Sequence, residues 1–347
     1  MSTDQVNTAF GSGNGQIGMS ILRIRVPYDS SESGLEVPTA KKAYLLGAII
    51  IASPWTPPAW MKSSNNIVGG TLNTGSYAAY AAHLKAFAET MSNNGVPLYA
   101  ISVQNEPEVT VTYESCSWNA SQLLSFVKNN ASAIGARIIV PESGDFNHAL
   151  SDPILNDHAA AANVSIIGGH IYGGGLTSYP LALIMGKEVW MTEHLVLDTD
   201  WPGALATGKE INDCMDADMS AYIWWYTVRY YGPIDETGEV TKRGYVMSQY
   251  SRFIRPGFIR VSATAKPQTN VDVTAYKSGS RVVIVVLNGS SSSISQLFSI
   301  WSGAVSTFTP YVTSSTKNCA QGSPIAASSG SFIATLDPSS VTTFVSN

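Results

Sequence analysis

Short apolar runs alternate with helical patterns along the first three quarters of the chain. Most runs are rich in β-branched or aromatic residues and apolar on both alternating faces, which is typical of strands buried in a parallel sheet. There are seven, at residues 20–26, 47–53, 97–103, 136–140, 164–172, 188–192 and 221–226. Between the second and third runs, apolar residues recur at spacings of three and four. This pattern predicts a helix over 77–91 that Ser76 caps and Gly95 follows.

The repeated strand–helix order indicates a parallel α/β fold, either doubly wound or a (β/α)8 barrel. From about Pro256 the pattern changes, because helical spacing stops and short strands alternate with Ser, Gly and Thr clusters. Strands are predicted there at 271–276, 281–287, 296–298, 306–312, 332–336 and 340–345. We therefore predict an α/β domain over 1–255 and an antiparallel β-sandwich over 256–347.

Composition narrows the class of protein. The 347 residues carry a net charge of −5 and no basic run, which disfavours a nucleic-acid or anionic-membrane binder. The longest apolar stretch, 43–52, is too short to span a bilayer. Three scattered cysteines, with no CxxC or HExxH motif, argue against a disulfide scaffold and a structural zinc site. We expect no metal and no organic cofactor.

Two carboxylates directly follow predicted strands. Glu106 lies in the string VQNEP, where Pro107 ends the strand, and Glu193 lies in WMTEH. In parallel barrels, catalytic groups collect at the carboxyl ends of the strands. A single loop glutamate is usually a solvated surface charge, but both of these follow apolar strands and have aromatic residues around them. We therefore predict that they are catalytic. Glu142 also follows a strand, but its neighbours offer no such surroundings, so it ranks second.

Aromatic residues also stand at the predicted strand ends. A single Trp is more often part of a core than of a binding site. Several at successive strand ends fit stacking on the apolar faces of sugar rings, with amides and hydroxyls to bind the sugar OH groups. The candidates, with one histidine among them, are Trp55, Trp60, His170, Tyr172, Trp224, Trp225 and Tyr226.

The motifs resemble those of one enzyme family. Asn105-Glu106-Pro107, with a second glutamate three strand units later, resembles the glycoside hydrolases of clan A. Longer strings are similar to family 30, and within it to the bacterial xylanases that cut glucuronoxylan. These strings are ASPWTPPAWMK (52–62), SVQNEPE (102–108), GGHIYGG (168–174), VWMTEH (189–194) and IWWYTVRYYGPIDETGEVTKRGYVMSQYSRFIRPG (223–257). The likeness runs from about Asp4 to the C-terminus.

The resemblance implies a retaining double displacement. Glu106 matches the general acid/base and Glu193 the nucleophile, and retention requires their carboxyl groups to lie only about 5–5.5 Å apart. Asn105 is expected to hydrogen-bond the sugar 2-OH. His170 and Tyr172 are expected to orient or hydrogen-bond Glu193. The glycone side would be lined by Trp55, Trp225 and Tyr226.

The resemblance also bears on substrate choice. Family glucuronoxylanases bind the glucuronate branch of xylan with an Arg and a Tyr, which Arg229 and Tyr231 match. A guanidinium fork is well suited to a carboxylate. The chain departs from the family where the usual Tyr and Ser after the second glutamate are replaced by Leu195 and a segment with Asp198. Asp198 brings a negative charge towards the anionic glucuronate, so we predict a weaker dependence on glucuronate.

The resemblance implies a (β/α)8 TIM-type barrel with a β-sandwich side domain, but one barrel strand has no counterpart. The family begins with a side-domain strand and a Gly-rich first barrel strand, and neither has a match before Thr3. Seven strands instead of eight would leave two sheet edges unpaired. Three explanations stay open: a trimmed chain, a gapped barrel, or another segment or chain that fills the gap.

We predict a secreted endo-β-1,4-xylanase that acts on xylan, and on glucuronoxylan in particular. Residues Met1–Gln5 are polar and lack the apolar segment of a signal peptide, so we expect no leader in this chain. Two alternatives stay open. One is another family 30 activity, a β-glucosidase or a β-1,6-glucanase, which Arg229 and Tyr231 disfavour. The other is a xylan-binding protein with impaired catalysis, because a missing strand would loosen the site.

Overall fold

In residues 1–301 and 305–346, which the computed structural model describes, helices and strands alternate up to Ser251 and only strands follow. The helices are α1 (Thr3–Phe10), α2 (Val37–Leu45), α3 (Tyr77–Asn93), α4 (Ala120–Asn130), α5 (His148–Asn156), α6 (His158–Ala162), α7 (Pro180–Ile184), α8 (Trp201–Asp216) and α9 (Lys242–Ser251). Within these two ranges, no helix is long and apolar enough to cross a membrane.

The strands fall into two groups along the chain. The first group is β1 (Ile21–Val26), β2 (Ile49–Pro54), β3 (Ala100–Ser102), β4 (Ile138–Ser143), β5 (Ile166–His170), β6 (Glu188–His194) and β7 (Ala221–Trp224). The second group is β8 (Ile259–Val261), β9 (Val271–Ser278), β10 (Arg281–Asn288), β11 (Ile294–Ser299), β12 (Thr307–Thr313), β13 (Ala320–Gln321), β14 (Ile325–Ala326), β15 (Ser331–Leu336) and β16 (Ser340–Ser346).

The chain forms two compact units. The first, the barrel unit, comprises Ile21–His194 and Ala217–Trp224. The second, the sandwich unit, comprises Met1–Ser20, Leu195–Asp216 and Trp225–Asn347. The expected domain boundary at residue 255 stays a prediction. Residues 302–304 and 347 of the expected second domain lie outside the described residues.

The barrel unit is built on one sheet of seven parallel strands, β1 to β7, paired in chain order. The seven predicted strands and the TIM-type class are confirmed, and the sheet is nearly closed. β1 pairs with β2, and β7 pairs with β6. In the described part of the chain no pairing joins β1 to β7, so the sheet keeps two edges.

An apolar layer fills the inside of the barrel unit. Its buried members are Ile51, Ala100, Ile139, Ile166, Trp190, Ala221 and Ile223, with Ile21, Ile49 and Tyr99 packed against them. Because side chains alternate along a strand, the residue two positions further on points to the same side. Four such positions are polar: Arg23, Ser53, Ser102 and Thr192. A polar layer therefore follows the apolar layer towards the carboxyl ends of the strands.

The helix predicted over 77–91 is confirmed as α3, whose apolar face is buried. Gly95 follows its end with a φ of 79°, a left-handed conformation that glycine adopts without strain. The predicted cap was wrong: the Ser76 side chain makes no capping hydrogen bond. Ser76 ends a short 3₁₀ turn and has φ −100° and ψ 1°, not the extended conformation from which a capping side chain reaches the helix.

The sandwich unit is antiparallel. One sheet has the order β13-β12-β16-β10-β9-β8, with β14 also on β12, and a second sheet pairs β11 with β15. The aromatic rings of Phe298, Phe308, Phe332 and Phe344 contact one another in its core at centroid distances of 4.7–5.4 Å. The six predicted strands are confirmed. The short strands β8, β13 and β14, of two or three residues each, were not predicted.

A side chain at Gly168 of β5 should destabilise the barrel. A Cβ there would lie 2.6 Å from Ile139 Cγ2 and 3.0 Å from Thr192 Cγ2. Gly168→Ala should therefore lower the free energy of unfolding by about 1–3 kcal/mol through overpacking. Gly34→Ala is the matched control, since a Cβ at Gly34 meets nothing within 4 Å, and it should change stability by less than about 0.5 kcal/mol. Urea denaturation measures both values, and equal effects would contradict this packing.

Candidate active site

The carboxyl ends of six strands in the barrel unit bring charged and hydroxyl side chains together. Such a concentration at this end of the strands is typical of barrel enzymes. The contributors are Arg23 from β1, Ser53 from β2, Ser102 from β3, Glu142 from β4, His170 from β5, and Thr192 and Glu193 from β6, with Asn105 and Glu106 directly after β3.

Glu193 is held by two donors. Its Oε2 accepts a hydrogen bond from Arg23 Nη1 at 2.6 Å, and its Oε1 accepts one from the Tyr172 hydroxyl at 2.9 Å. The Glu193 side chain is 8% exposed. Hydrogen bonds between a charged donor or acceptor and its partner are stronger than neutral ones. These two contacts therefore fix the orientation of the Glu193 carboxyl group at the end of β6.

Glu106 is held by His170 and by its own backbone. Its Oε1 lies 3.0 Å from His170 Nδ1, and its N–H donates to the Glu142 carbonyl at 2.9 Å. The preceding N–H, of Asn105, donates to the Pro54 carbonyl at 2.8 Å. Glu106 has a φ of 45°, a left-handed conformation that non-glycine residues adopt mostly where surrounding contacts enforce it. The loop after β3 is therefore fixed to β2 and β4.

The two glutamates are close neighbours. One ligating atom from each of Glu106, His170 and Glu193 lies within 4.8 Å of the others. This spacing fits the roughly 5–5.5 Å between carboxyl groups in retaining glycosidases better than the roughly 6.5–9.5 Å of inverting ones. The same three groups could in principle hold a metal ion. Glu193 Oε2, however, already accepts a hydrogen bond from Arg23. A protonated histidine has no lone pair with which to bind a metal, so the three groups are better suited to proton transfer.

Arg23 connects most of this cluster, and sequence analysis missed it. Its Nη2 donates to Asn105 Oδ1 at 2.6 Å and lies 3.8 Å from Glu142 Oε1, and its Nε donates to Ser53 Oγ at 3.0 Å. Burial opposes its charge, but Glu142 and Glu193 outweigh burial and raise the pKa of the guanidinium. The signal was available: a charged residue interrupts the apolar strand ILRIRV at a position that faces the barrel interior.

The carboxylates also shift the pKa values of two neighbours. Burial acts to lower the pKa of His170, but the charge of Glu193 and the contacts with Glu106 and Glu142 raise it to about 9. For Tyr172, burial and then the Glu193 charge raise the pKa of the hydroxyl well above its ordinary value. At neutral pH, His170 is therefore a cation and Tyr172 is a hydrogen-bond donor.

The other predicted residues divide between the two units. In the barrel unit, the ring of Trp55 lies under the Arg23 guanidinium, 5.0 Å from ring centroid to Cζ, and the Asn105 side chain accepts from the same arginine. Of the residues expected at Glu193, Tyr172 contacts Glu193 directly, whereas His170 lies nearer to Glu106. Glu142, ranked second from its sequence, is fully buried among these groups.

Four of the predicted residues, Trp225, Tyr226, Arg229 and Tyr231, belong to the sandwich unit. The rings of Trp225 and Tyr226 contact each other at 4.1 Å between centroids, and the exposed Arg229 lies 5.7 Å from the Tyr226 ring. Burial raises the pKa of Tyr231, and its hydrogen bond with Arg229 opposes that rise. These residues therefore form one cluster of rings around a guanidinium, which directly follows β7 in the chain. Their role in the site stays a prediction.

A nearly closed parallel barrel with two adjacent glutamates at its strand ends is the architecture of a glycoside hydrolase. Residues 29–183 match the glycosyl hydrolase family 30 TIM-barrel domain. Over its whole length, the chain is 44% identical to the glucuronoxylanase XynC of Bacillus subtilis (strain 168) and covers 85% of that protein. The chain belongs to glycosyl hydrolase family 30, as the sequence motifs predicted.

Solved structures agree with this assignment. A family 30 subfamily 8 xylanase from Clostridium acetobutylicum is 42% identical, with a TM-score of 0.95 over 100% of this chain and 93% of that one. A family 30 endoxylanase from Clostridium papyrosolvens C71 is 40% identical, with a TM-score of 0.93 and the same coverage of both chains. The fold of this glycoside hydrolase is therefore that of its family.

The pKa of His170 predicts a pH dependence of stability. The folded chain raises this pKa from 6.5 to about 9, so it holds the proton more tightly than the unfolded chain does. The resulting stabilisation is complete below about pH 6.5 and is lost as the pH rises through about 9. The difference in free energy of unfolding between wild type and His170→Gln, from urea denaturation, should therefore shrink over this range.

His83→Gln serves as the control for this measurement. Burial lowers the pKa of His83, so its difference from wild type should stay constant above about pH 7. A His170→Gln difference that is equally constant from pH 6.5 to 9.5 would contradict the raised pKa.

Proposed function

We propose that the chain is a retaining endo-β-1,4-xylanase that acts on glucuronoxylan. The observation that carries the proposal is the pair of adjacent carboxylates in different surroundings. Glu193 is bound by Arg23 and Tyr172, which fix the orientation of its carboxyl group for attack. Glu106 lies beside it and contacts His170 instead, at the short separation that a retaining acid/base partner needs.

In the first step a Glu193 oxygen attacks the anomeric carbon of the xylose at the cleavage point. The glycosidic C–O bond breaks, Glu106 gives its proton to the leaving oxygen, and a glycosyl–Glu193 ester forms. Arg23 Nη1 donates to Glu193 Oε2 at 2.6 Å and holds the nucleophile in place for the attack. The rigid attachment of the two glutamates to β6 and to the loop after β3 supplies the required alignment.

In the second step Glu106, now a carboxylate, takes a proton from a water molecule. The resulting hydroxide attacks the anomeric carbon from the side that the leaving group vacated, and the Glu193 ester breaks. Two inversions at one carbon give net retention. His170 Nδ1, 3.0 Å from Glu106 Oε1, stabilises the carboxylate form that this step needs.

Asn105 is oriented to bind the sugar. Arg23 carries donors and no acceptor, so the atom that faces it must be the amide oxygen, and the Asn105 Oδ1 contact at 2.6 Å fixes the amide. The Asn105 NH₂ group is then directed away from Arg23 and is available to donate to a substrate hydroxyl. A hydrogen bond to the 2-OH that strengthens in the transition state supports catalysis in this class of enzyme.

Xylan is the proposed substrate because the similar proteins are named as xylanases and a glucuronoxylanase. The exposed Arg229 supports the choice of glucuronoxylan. An arginine has five N–H donors, and a bond to Tyr231 leaves others for a glucuronate carboxylate. We further propose that the enzyme acts outside the cell, where its polymeric substrate is found.

The position of Asp198 in the chain supports the proposal that the enzyme depends less on glucuronate than its relatives do. Arg243 donates from Nη2 to the Asp198 carbonyl and from Nη1 to the Tyr231 carbonyl, both at 2.6 Å. This arginine therefore ties the segment that carries Asp198 to the segment that carries Arg229 and Tyr231. A negative charge on this segment would act against an anionic glucuronate branch, which is the reason for proposing a weaker dependence on it.

The carboxylate pair is tested by two isosteric variants. Glu193→Gln should abolish turnover of glucuronoxylan and retain xylan binding, because it removes the nucleophile and keeps the shape of the site. Glu106→Gln should fail on xylan but react with aryl xylosides that have good leaving groups, and azide should accelerate that reaction and give a β-azide. Reducing-sugar assays and NMR of the products measure these outcomes.

Glu89→Gln is the control, since Glu89 is a surface glutamate paired with Lys85, and it should match wild type. Retention of more than about a tenth of wild-type activity in Glu193→Gln would exclude Glu193 as the nucleophile. An α-configured product in an NMR time course with wild type would exclude retention.

Arg229→Ala tests the choice of substrate. It should lower kcat/KM on glucuronoxylan by tens to hundreds of fold, the effect of losing roughly 1.5–3 kcal/mol of a charge-assisted hydrogen bond. Linear xylo-oligosaccharides, which carry no carboxylate, should react at nearly unchanged rates. Wild-type products should carry a glucuronate at a fixed distance from the reducing end, as mass spectrometry would show.

Arg281→Ala removes another exposed arginine, at the start of β10, and should leave both rates unchanged. Equal wild-type rates on linear xylan and on glucuronoxylan, with neutral xylobiose and xylotriose as products, would show that Arg229 does not select the substrate. A product ladder from a β-1,6-glucan would instead favour the glucanase alternative.

A further inference from the structure

Glu142 is a third carboxylate in the barrel unit that the two-step reaction does not use. Its side chain is fully buried. Oε1 accepts hydrogen bonds from Ser102 Oγ and, at 2.9 Å, from Ser53 Oγ, and Oε2 accepts one from Thr192 Oγ1. A buried charge persists only where it is paired and hydrogen-bonded. These three hydroxyls and the nearby Arg23 meet that condition, so Glu142 is a permanent anion.

Both ring nitrogens of His170 face carboxylate oxygens. Nδ1 lies 3.0 Å from Glu106 Oε1, and Nε2 lies 3.5 Å from Glu142 Oε2 and 4.0 Å from Glu193 Oε2. An ionised carboxylate oxygen only accepts hydrogen bonds, so a bare lone pair on either nitrogen would be repelled. A ring placed between anions on both sides is therefore stable as the doubly protonated imidazolium.

We propose that Glu142 is a positioning residue that keeps His170 doubly protonated through both reaction steps, so that the catalytic proton of Glu106 stays on Oε2. The inference rests on the proposed function. Nδ1–H donates to Glu106 Oε1, and an oxygen that accepts from a cationic donor is the weaker site for a proton. A neutral His170 would instead present a lone pair to Glu106 and draw that proton away from the substrate.

Glu142 has this role because the charges of the other two carboxylates change during the reaction. Glu193 becomes a neutral ester after the first step, and Glu106 alternates between acid and carboxylate. Glu142 is buried and bound by three hydroxyls, so its charge is constant. In the glycosyl-enzyme, where Glu193 no longer attracts the imidazolium, Glu142 remains as the fixed anion at Nε2, 3.5 Å away.

The other groups around His170 are consistent with this assignment. The charged and titratable side chains that face it are Arg23 from β1, Glu106 after β3, Glu142 from β4, Tyr172 after β5 and Glu193 from β6. Burial and the charge of Arg23 act against the imidazolium, but the three carboxylates outweigh both and raise the pKa of His170 to about 9. For Glu142, the charges of Arg23 and His170 overcome burial and hold the pKa of the carboxyl well below its usual range.

The first test needs no substrate. Glu142→Gln keeps the size of the side chain and removes its charge, and ¹⁵N NMR distinguishes an imidazolium from a neutral ring. The His170 signals, assigned by their loss in His170→Gln, should titrate at least about one pH unit lower in Glu142→Gln than in wild type. Ser102→Ala, which removes a hydroxyl donor and keeps the charge of Glu142, should leave the His170 titration unchanged.

The second test separates positioning from a structural role. With an aryl xylobioside that has a good leaving group, Glu142→Gln should slow breakdown of the glycosyl-enzyme more than its formation, so kcat should fall more than kcat/KM. A loss of about tenfold or more in kcat is expected, and the alkaline limb of the kcat profile should move to lower pH. Equal losses in both constants with an unmoved limb would indicate a structural effect and overturn the proposal.

The third test uses wild type and holds even where Glu142→Gln fails to fold. A 2-deoxy-2-fluoro xyloside should trap the ester on Glu193, and His170 should remain an imidazolium in the trapped enzyme at pH 7. A neutral His170 there, or in free wild type at pH 7, would overturn the proposal. Failure to label Glu193, seen by mass spectrometry, would count against the proposed function alone, because the titration of free enzyme tests Glu142 separately.

Discussion

One buried cation makes the rest of the site possible. Arg23 reaches Glu193, Asn105 and Ser53 directly and lies 3.8 Å from Glu142. Three carboxylates packed into the same barrel would repel one another and neutralise by taking up protons if no fixed positive charge lay among them. A lysine could not make the same contacts, because Arg23 donates to Ser53, Glu193 and Asn105 from three separate nitrogens, whereas a lysine carries all its donors on one nitrogen.

The position of Arg23 follows from the strand that carries it. β1 is apolar except at Arg23 and Arg25, and alternation sends Arg23 to the same side as Ile21, two residues before it. Arg23 therefore lies next to the apolar layer inside the barrel, on the side of the strands' carboxyl ends. Ser53, Ser102 and Thr192 follow from the same spacing, since each comes two residues after a member of the apolar layer on its own strand. The alternation of side chains along each strand thus determines the position of both the apolar layer and the polar layer that follows it.

Sequence alone predicted the seven barrel strands, six of the sandwich strands and the two glutamates. These depend on local signals: runs of β-branched residues, and a carboxylate directly after a strand. Glu142 was ranked second and Arg23 was missed, because their importance depends on the side chains that surround them. A charge in the apolar strand ILRIRV marks Arg23 as unusual, but neither this string nor PES reveals those neighbours. Ser76 shows the opposite error: its residue type suits a cap, but the preceding 3₁₀ turn sets a backbone conformation from which the side chain cannot bond. The short strands β8, β13 and β14 are set by pairing partners far along the chain.

The two glycines of β5 limit how this barrel can change by mutation. A Cβ at Gly168 would meet Ile139 and Thr192, and one at Gly169 would lie 2.6 Å from the ring of Phe146. The space that two missing side chains leave is already filled by neighbours, including the threonine that binds Glu142. A side chain at either glycine would therefore need a compensating smaller residue at the same time, on β4 or β6 for Gly168 and at Phe146 for Gly169. A change of the barrel interior at this level therefore requires two substitutions together. We expect the charged residues beside β5 to be substituted more slowly in evolution than the residues of the loops that contact substrate.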